Sequence, residues 1–245
     1  MKKPDMFKLI SVLCLIFLCS QPAFSAVLRS PLPSDVVGIH IPNTHVAAQG
    51  GLGTVLRGSA PLKNEIKQLK DYGVTDILIF KNQTRHEVDQ EISWLKAAGY
   101  SSGQIHHIPF LWKNIGPFKQ TCGQTISALR LLSKAYKTPK KAIFFHCTVG
   151  EDRTGFLAGL FRMLAEKWDT EKAFKEELCK NGYEAGNSRK PPDVITEVRA
   201  GLTPAYFKMA SLISSGVLTL DNLNTSVCAS EPMLDTNAVN QLRCP

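Results

Sequence analysis

Residues 142–155 read Ala-Ile-Phe-Phe-His-Cys-Thr-Val-Gly-Glu-Asp-Arg-Thr-Gly, and this stretch decides the fold. Its first five residues form an apolar, β-rich run, which predicts a buried strand. From Thr154 to residue 168 the pattern is strongly helical. A buried strand that enters a helix through a short glycine-containing loop is typical of an α/β protein.

The same alternation extends outward in both directions. The patterns predict strands at residues 36–41, 53–57, 74–80, 105–110 and 142–146. They predict helices at residues 62–72, 86–98, 120–136, 154–168, 170–181 and 193–214. Strands that alternate with helices indicate an α/β fold with a mostly parallel central sheet flanked by helices on both faces.

The first 25 residues predict a signal peptide. Three lysines precede an apolar run over residues 9–18, and Ala23-Phe24-Ser25 places small residues at a cleavage site. The run is too short for the ~20 residues that a membrane helix needs. We therefore expect a secreted or periplasmic protein with one domain at residues 26–216. We also expect a polar tail at residues 217–245, which is either tied to the domain by disulfides or not attached to it.

Charge and composition restrict the partners. Removing the leader takes away three of the 29 basic and one of the 21 acidic residues, which leaves a formal charge of +6. A basic balance suits an anionic ligand, but no block of lysine and arginine points to nucleic acid. We expect a small phosphorylated substrate, a monomer, no nucleic acid and no stable membrane insertion. No metal-ligand spacing occurs, so neither a metal nor another cofactor is expected.

Five cysteines remain after the leader, an odd number in a compartment that favours disulfides. If Cys147 stays free, the other four can form two bridges. Cys228 and Cys244 would then close a short loop in the tail, leaving Cys122 and Cys179 for the second bridge.

The loop after the buried strand has the features of an anion site. A loop that leads into a helix points backbone N–H groups into one concavity, where the helix dipole also favours negative charge. Arg153 can clamp two phosphoryl oxygens, and the same field favours the thiolate of Cys147. The expected binding residues in the loop are Thr148, Val149, Gly150, Glu151 and Gly155.

The run His-Cys, five residues, Arg-Thr resembles the signature loop of the protein tyrosine phosphatase superfamily, with a looser similarity over residues 50–215. The resemblance implies that Cys147 attacks phosphorus to form a phosphocysteine and that Arg153 binds the phosphoryl group. Thr154 would donate to the sulfur leaving group, and His146 would orient the loop without acting as a base.

The source of the leaving-group proton is open. Members of this superfamily commonly use an aspartate about 30 residues before the cysteine, but residues 92–150 contain no Asp or Glu. Three explanations remain: Asp152 is the acid, His106 or His107 replaces it, or the protein binds phosphate without turnover. We favour Asp152, because Gly-x-Asp-Arg-Thr resembles the loops of myotubularin-type phosphoinositide phosphatases and secreted bacterial phosphatases.

Among substrates, the similarity is greatest to secreted tyrosine-phosphatase-like phytases, which hydrolyse inositol polyphosphates. Phosphotyrosine and phosphoinositide are the alternative substrates. The alternatives of another class are a catalytically weak phosphate-binding module and a sulfur-transfer or arsenate-reducing enzyme with a related cysteine loop. His107 is expected to face the cleft, and Glu151 would make the loop less positive. The candidates for holding peripheral phosphates are Lys113, Lys119, Arg57, Arg189 and Lys190.

Overall fold

The structure, a computed structural model, describes residues 29–245, so the predicted signal peptide lies outside the described residues. Five strands form one sheet in the order β1-β2-β5-β3-β4. β1 is antiparallel to β2, and the other neighbours are parallel. The strands are β1 (His45–Val46), β2 (Thr54–Gly58), β3 (Asp76–Ile79), β4 (Ile105–His107) and β5 (Ala142–His146).

Helices connect the strands and cover the sheet. The helices are α1 (Ile66–Tyr72), α2 (Glu87–Ala97), α3 (Phe118–Lys137), α4 (Asp152–Glu166), α5 (Thr170–Lys172), α6 (Pro192–Ala200), α7 (Leu202–Ser214) and α8 (Thr236–Gln241). A π-helical turn, Ala173–Leu178, continues α5. Within residues 29–245, no helix is both long enough and apolar enough to cross a bilayer.

β5 lies at the centre of the sheet, and its apolar residues alternate between two cores. Ile143 and Phe145 join the core beneath α3, α4 and α7, whereas Phe144 joins the core beneath α1 and α2. Both faces are therefore buried, which explains why the strand is apolar throughout instead of alternating with polar residues. The predicted fold class, an α/β protein with a mostly parallel sheet, is confirmed.

The carboxyl ends of the central strands meet at one point. His146 pairs with Gly58 of β2 on one side and with Ile79 of β3 on the other. The loop that follows His146 thus lies at the edge of the sheet where ligands bind in open α/β folds.

Two predicted elements are wrong. Residues 36–41 form no strand: Ile39 N–H bonds to Val36 O at 3.1 Å, and Gly38 has φ +82°. Their alternating pattern arises because Ile39 and its second neighbour Ile41 are buried in an irregular segment. The predicted helix at residues 193–214 is two helices, α6 and α7. Pro204, in the first turn of α7, has no N–H for the bond that a continuous helix would require.

The predicted Cys228–Cys244 bridge is also wrong. Cys122 of α3 pairs with Cys228, and Cys179 pairs with Cys244, so each bridge joins the tail to the domain. Spacing in the sequence could not show this pairing, because the partners are 106 and 65 residues apart. Cys147 is the free thiol among the described cysteines, as predicted.

Candidate active site

The cysteine loop, residues 147–151, joins β5 to α4 and is held by its carbonyl groups. Each of the first four loop carbonyls accepts a hydrogen bond from outside the loop. The donors are His146 Nδ1 to Cys147 at 2.7 Å, Ala60 N–H to Thr148 at 3.1 Å, Ser59 Oγ to Val149 at 2.5 Å, and Arg57 Nη2 and Asn43 Nδ2 to Gly150 at 2.6 and 2.9 Å. Four consecutive carbonyls are thereby fixed by the surrounding domain.

The amide groups on the loop have a different environment. Within residues 29–245, the N–H groups of Thr148, Val149, Glu151, Asp152 and Arg153 have no acceptor in the protein. They precede or begin α4, a 15-residue helix whose dipole is positive at this end. Unpaired N–H groups at a helix N-terminus form an anion-binding site, and a phosphoryl group matches it.

Gly150 is the position where the loop requires glycine. Its φ is +82°, and a Cβ there would lie 2.6 Å from Gly58 C and O and from Ser59 N. Both the backbone conformation and the approach to the end of β2 exclude a side chain. The glycine in the motif is therefore a requirement of packing as well as of turn geometry.

Cys147 lies at the base of the loop, 3% exposed. Burial raises the pKa of its thiol, but the Arg153 charge and hydrogen bonds from the Thr154 hydroxyl and the Thr154 and Gly150 amides outweigh burial and hold the pKa below its ordinary value. The Gly150 N–H lies 3.3 Å from Sγ. Thr154 Oγ1 also accepts from the Cys147 N–H at 2.8 Å, which places the hydroxyl beside the sulfur. These contacts stabilise the thiolate of Cys147 relative to that of an ordinary cysteine.

His146 is fully buried behind the loop. Since a carbonyl oxygen only accepts, the ring nitrogen Nδ1 must donate to Cys147 O. The other nitrogen, Nε2, lies 2.7 Å from Glu91 Oε1 of α2, although the two atoms are not aligned as a hydrogen bond. Lys81 Nζ lies 3.9 Å from the other oxygen of Glu91. His146 thus orients the loop and has no route to act on substrate directly.

Arg153 is 7% exposed and is held in place by three acceptors. Nη1 donates to Asn82 Oδ1 at 3.0 Å and to Phe110 O at 3.1 Å, and Nη2 donates to Thr148 Oγ1 at 3.3 Å. In related enzymes the segment before the cysteine loop commonly carries the catalytic acid. In this chain that segment contains Phe110, which contributes a backbone carbonyl to Arg153. These contacts set the plane of the guanidinium before any anion binds.

Asp152 begins α4 and is partly exposed. Its Oδ1 accepts from Lys190 Nζ at 2.5 Å and from the Glu184 N–H at 3.1 Å. Within residues 29–245, its Oδ2 has no hydrogen-bond partner. One carboxylate oxygen is fixed by the protein, and the other is free to meet a ligand.

Three expectations about charged groups are wrong. Arg57 is fully buried and bonds to Gly150 and to Glu177, so it cannot hold a peripheral phosphate. The Lys190 ammonium is occupied by Asp152, Glu151 and Gly182 O. The Glu151 carboxylate is buried and bonded to Ser30 and Asn187, so its side chain does not line an open pocket.

Gly155 is also misassigned as a binding residue. Its N–H bonds to Glu151 O at 2.6 Å, and it packs in the first turn of α4 against Tyr183 and Leu178. Thr148 and Val149, two other predicted binding residues of the loop, are half-buried.

The histidine candidates lie on β4, the edge strand of the sheet, and the lysine and arginine candidates that remain are exposed. His107 is exposed and its Nε2 bonds to Lys81 O at 2.8 Å, whereas His106 pairs with Asp76 at 3.2 Å. His107 and Lys119 line a groove of about 700 Å³. Lys113 and Arg189 are exposed, and Lys113 lies over the Trp112 ring.

Several supporting residues were not recognised from the sequence. Asn43, Ser59, Asn82 and Glu91 contact the loop or its immediate neighbours, yet each lies at least 56 positions from Cys147. The motif Leu-Arg-Gly-Ser at residues 56–59 was the available signal, since polar residues directly after a buried strand end at the same sheet edge.

One protein family and several solved structures are similar to this chain. Residues 53–173 match the model of a family described as the tyrosine phosphatase family. No curated protein matches the sequence.

Solved structures with a similar fold include TpbA from P. aeruginosa in complex with pTyr, at 20% identity and a TM-score of 0.47, covering 75% of this chain and 99% of that one. The core catalytic domain of the PP-IP phosphatase SIW14 from S. cerevisiae is 17% identical, with a TM-score of 0.45 and coverages of 77% and 96%. PTPMT1 is 17% identical, with a TM-score of 0.43 and coverages of 71% and 98%. The matched residues, 53–173, contain the cysteine loop, so this part of the chain is similar to the tyrosine phosphatase family.

Proposed function

We propose that the protein is a phosphomonoesterase that acts through a phosphocysteine, with inositol polyphosphate as its substrate. Cys147 Sγ forms a bond to phosphorus as the ester P–O bond breaks, and the leaving oxygen takes a proton from Asp152. Water then attacks the phosphocysteine, Asp152 takes up a proton, and phosphate and the thiolate are released. Thr154 donates to the departing sulfur.

One observation carries this proposal. Four loop carbonyls are bonded by the surrounding domain. Among residues 29–245, five N–H groups between Thr148 and Arg153 have no acceptor, and they belong to the same loop and helix start as a thiol whose pKa is lowered. Preorganised donors of this kind stabilise the charge that develops on the phosphoryl oxygens. Because the donors are fixed before substrate arrives, little reorganisation accompanies the reaction.

The contacts favour Asp152 over the histidines as the acid. His106 and His107 lie on β4, and β3 separates β4 from β5, so they are about 10 Å away at ~4.8 Å per strand. His107 Nε2 also donates to Lys81 O, because a carbonyl oxygen only accepts, so this N–H already has an acceptor within the protein. Asp152 directly precedes Arg153 and keeps one carboxylate oxygen free.

The preference for a multiply phosphorylated substrate rests on exposed cations. Lys113, Lys119 and Arg189 are exposed, and Lys119 borders the groove beside the segment whose Phe110 carbonyl contacts Arg153. The buried Glu151 carboxylate pairs with Lys190, so the predicted loss of positive potential from Glu151 is partly cancelled. Phosphotyrosine and phosphoinositide are the competing substrates.

Phosphate release from inositol hexakisphosphate, a phosphotyrosine peptide and a phosphoinositide tests the substrate choice. We expect highest kcat/KM on inositol hexakisphosphate and loss of release with Cys147→Ser on every substrate. Lys119→Gln should raise KM for the hexakisphosphate and leave an aryl monophosphate unaffected. The control is Lys134→Gln, on the same helix about 22 Å away at ~1.5 Å per residue. Brisk phosphotyrosine turnover without hexakisphosphate turnover would reverse the choice.

We also propose export through the predicted signal peptide at residues 1–25. The two disulfides support an oxidising compartment, because such bonds are rare in the cytosol. N-terminal sequencing of protein recovered from an exporting host tests this. A mature chain that starts near residue 26 agrees, and a chain that retains Met1 in the cytosolic fraction contradicts it.

A further inference from the structure

Lys190 is a buried cation that contacts Glu151 and Asp152, where the cysteine loop joins α4. Its side chain is 5% exposed, and its ammonium lies 2.5 Å from Asp152 Oδ1, 2.6 Å from Gly182 O and 3.3 Å from Glu151 Oε2. Desolvating an ammonium is costly unless it is paired and hydrogen-bonded, and here Asp152 and Gly182 accept hydrogen bonds while Glu151 lies within ion-pair distance. This position fixes one lysine between two consecutive loop carboxylates.

The two carboxylates differ in how many of their oxygens are occupied. Both oxygens of Glu151 are bonded: Oε1 to Ser30 and Asn187, and Oε2 to Asn187 and Lys190. In the part of the chain that the structure describes, Asp152 has partners at Oδ1 alone, namely Lys190 and the Glu184 N–H. A proton added to this pair therefore has one open position, the Oδ2 atom of Asp152.

The charges around the loop favour that added proton when substrate binds. Arg153 and Lys190 are positive, while Glu151, Asp152 and the Cys147 thiolate are negative, so the group sums to −1 before a phosphate dianion enters. Like charges close together disfavour full ionisation of a carboxyl group. Both oxygens of Glu151 have partners, so among the described residues the open carboxylate oxygen of this pair is Oδ2 of Asp152.

We propose that Lys190 is the positioning residue of the acid. It holds Oδ1 of Asp152, directs Oδ2 toward the leaving oxygen, and so determines which atom carries the proton. As Cys147 Sγ bonds to phosphorus and the ester bond breaks, the proton moves from Oδ2 to the leaving alkoxide. Asp152 is then ionised against the Lys190 ammonium. The role rests on the proposed function, in which Asp152 is the acid.

A purely structural role for Lys190 makes a different prediction. If the lysine only holds the loop together, its removal impairs every substrate equally, since binding and attack by Cys147 need the loop. If it acts through Asp152, the loss depends on the leaving group. Alkoxides need a proton, whereas an activated phenolate such as p-nitrophenolate leaves without one.

The test compares kcat/KM for an alkyl phosphate and for p-nitrophenyl phosphate, because kcat/KM reports steps up to phosphocysteine formation. We expect Lys190→Met to lower alkyl phosphate kcat/KM about 100-fold, with a loss at least tenfold smaller on the aryl ester. In an Asp152→Asn background, Lys190→Met should add less than about threefold, because residues that act as a unit are not additive. Lys180→Met, which breaks an exposed pair with Glu176, is the matched control.

Removing Lys190 alone leaves Glu151 and Asp152 facing each other, so the same comparison is made with Lys190→Met/Glu151→Gln, which removes one of the two charges. Equal losses on both esters, or a full further loss in the Asp152→Asn background, overturn the role of Lys190 and leave the acid assignment standing. Intact alkyl phosphate turnover in Asp152→Asn alone overturns the acid assignment, and this proposal with it.

Discussion

Arg57 Nη2 donates to the carbonyl oxygen of Gly150 at 2.6 Å, and its Nη1 donates to Glu177 Oε1 at 2.8 Å. The side chain that the sequence suggested as a phosphate ligand is fully buried beneath the loop. It joins β2 and the π-helical turn after α5 to the cysteine loop. The cysteine loop is thus held by a charged pair whose two side chains are both buried.

Gly150→Ala is expected to disable the site. The alanine Cβ would lie 2.6 Å from the end of β2, which is a clash. The backbone at this position has φ +82°, a conformation that costs a non-glycine residue about 1–2 kcal/mol in addition. We expect a loss of kcat/KM of at least tenfold together with a lower free energy of unfolding. Gly123→Ala is the control, because Gly123 lies in α3 with open space around it, and alanine there should stabilise the helix by about 0.5–1 kcal/mol. An active, fully stable Gly150→Ala variant would contradict this geometry.

The lowered pKa of Cys147 predicts alkylation at a pH where an ordinary thiol is inert. The rate of reaction with iodoacetamide should reach half its maximum well below pH ~8.5, the value for a free cysteine. Arg153→Gln should move this midpoint upward, since the Arg153 charge is the largest influence that lowers the pKa. A midpoint near 8.5 in the parent protein would show that the loop does not favour the thiolate.

Glu177 makes the protein sensitive to acid. Burial raises the pKa of this carboxyl, but its hydrogen bond to His45 and the charges of Arg57, His45 and Arg162 outweigh burial and lower the pKa from 4.5 to about 2. A lowered folded-state pKa contributes stability above pH 4.5 that disappears as the pH falls toward 2. Between pH 6 and pH 3 the loss from this group should be on the order of 2 kcal/mol.

Urea unfolding at the two pH values measures that contribution. Glu177→Gln should lose less stability between pH 6 and pH 3 than the parent protein, although it is less stable at pH 6. Glu176→Gln, at an exposed neighbouring position, should lose as much as the parent. Parallel losses in all three proteins would mean that Glu177 titrates normally in the folded state.

The disulfides are expected to anchor the tail to the domain. Peptide mapping without reduction should recover Cys122 joined to Cys228 and Cys179 joined to Cys244, with Cys147 alkylated as the single free thiol of the mature chain. In the chain-entropy account, each bridge over 65 or 106 residues stabilises the fold by about 4–5 kcal/mol. Recovery of a Cys228–Cys244 peptide would restore the pairing that the sequence suggested.

The sequence predicted the elements whose residues carry strong local patterns. The apolar run of β5 and the His-Cys motif after it predicted the strand, the loop and the start of α4 to within two residues. The strand predicted at residues 36–41 was wrong, because Ile39 and Ile41 are buried and produce an alternating pattern although no strand pairs with this segment. Periodicity reports which side chains are buried, and it does not report whether the backbone is paired.

The supporting contacts of the site could not be predicted, because they depend on side-chain packing between distant segments. Arg57 and Lys190 are cations in a basic chain, so the sequence suggested that they bind anions from solvent. In the fold both are buried against carboxylates, Glu177 for one and Asp152 for the other. A buried cation cannot be distinguished from a solvated one in the sequence, because the distinction depends on partners that only the folded structure brings close.

Rapid acid quenching of the enzyme during turnover tests the central claim most directly. With p-nitrophenyl phosphate as substrate, we expect mass spectrometry to find a phosphate adduct on the peptide that contains Cys147. The adduct should accumulate in Asp152→Asn, because this leaving group needs no acid whereas hydrolysis of the adduct needs the base. Cys147→Ser should show neither adduct nor phosphate release. Phosphate release without an adduct on Cys147, or release that persists in Cys147→Ser, would contradict the account.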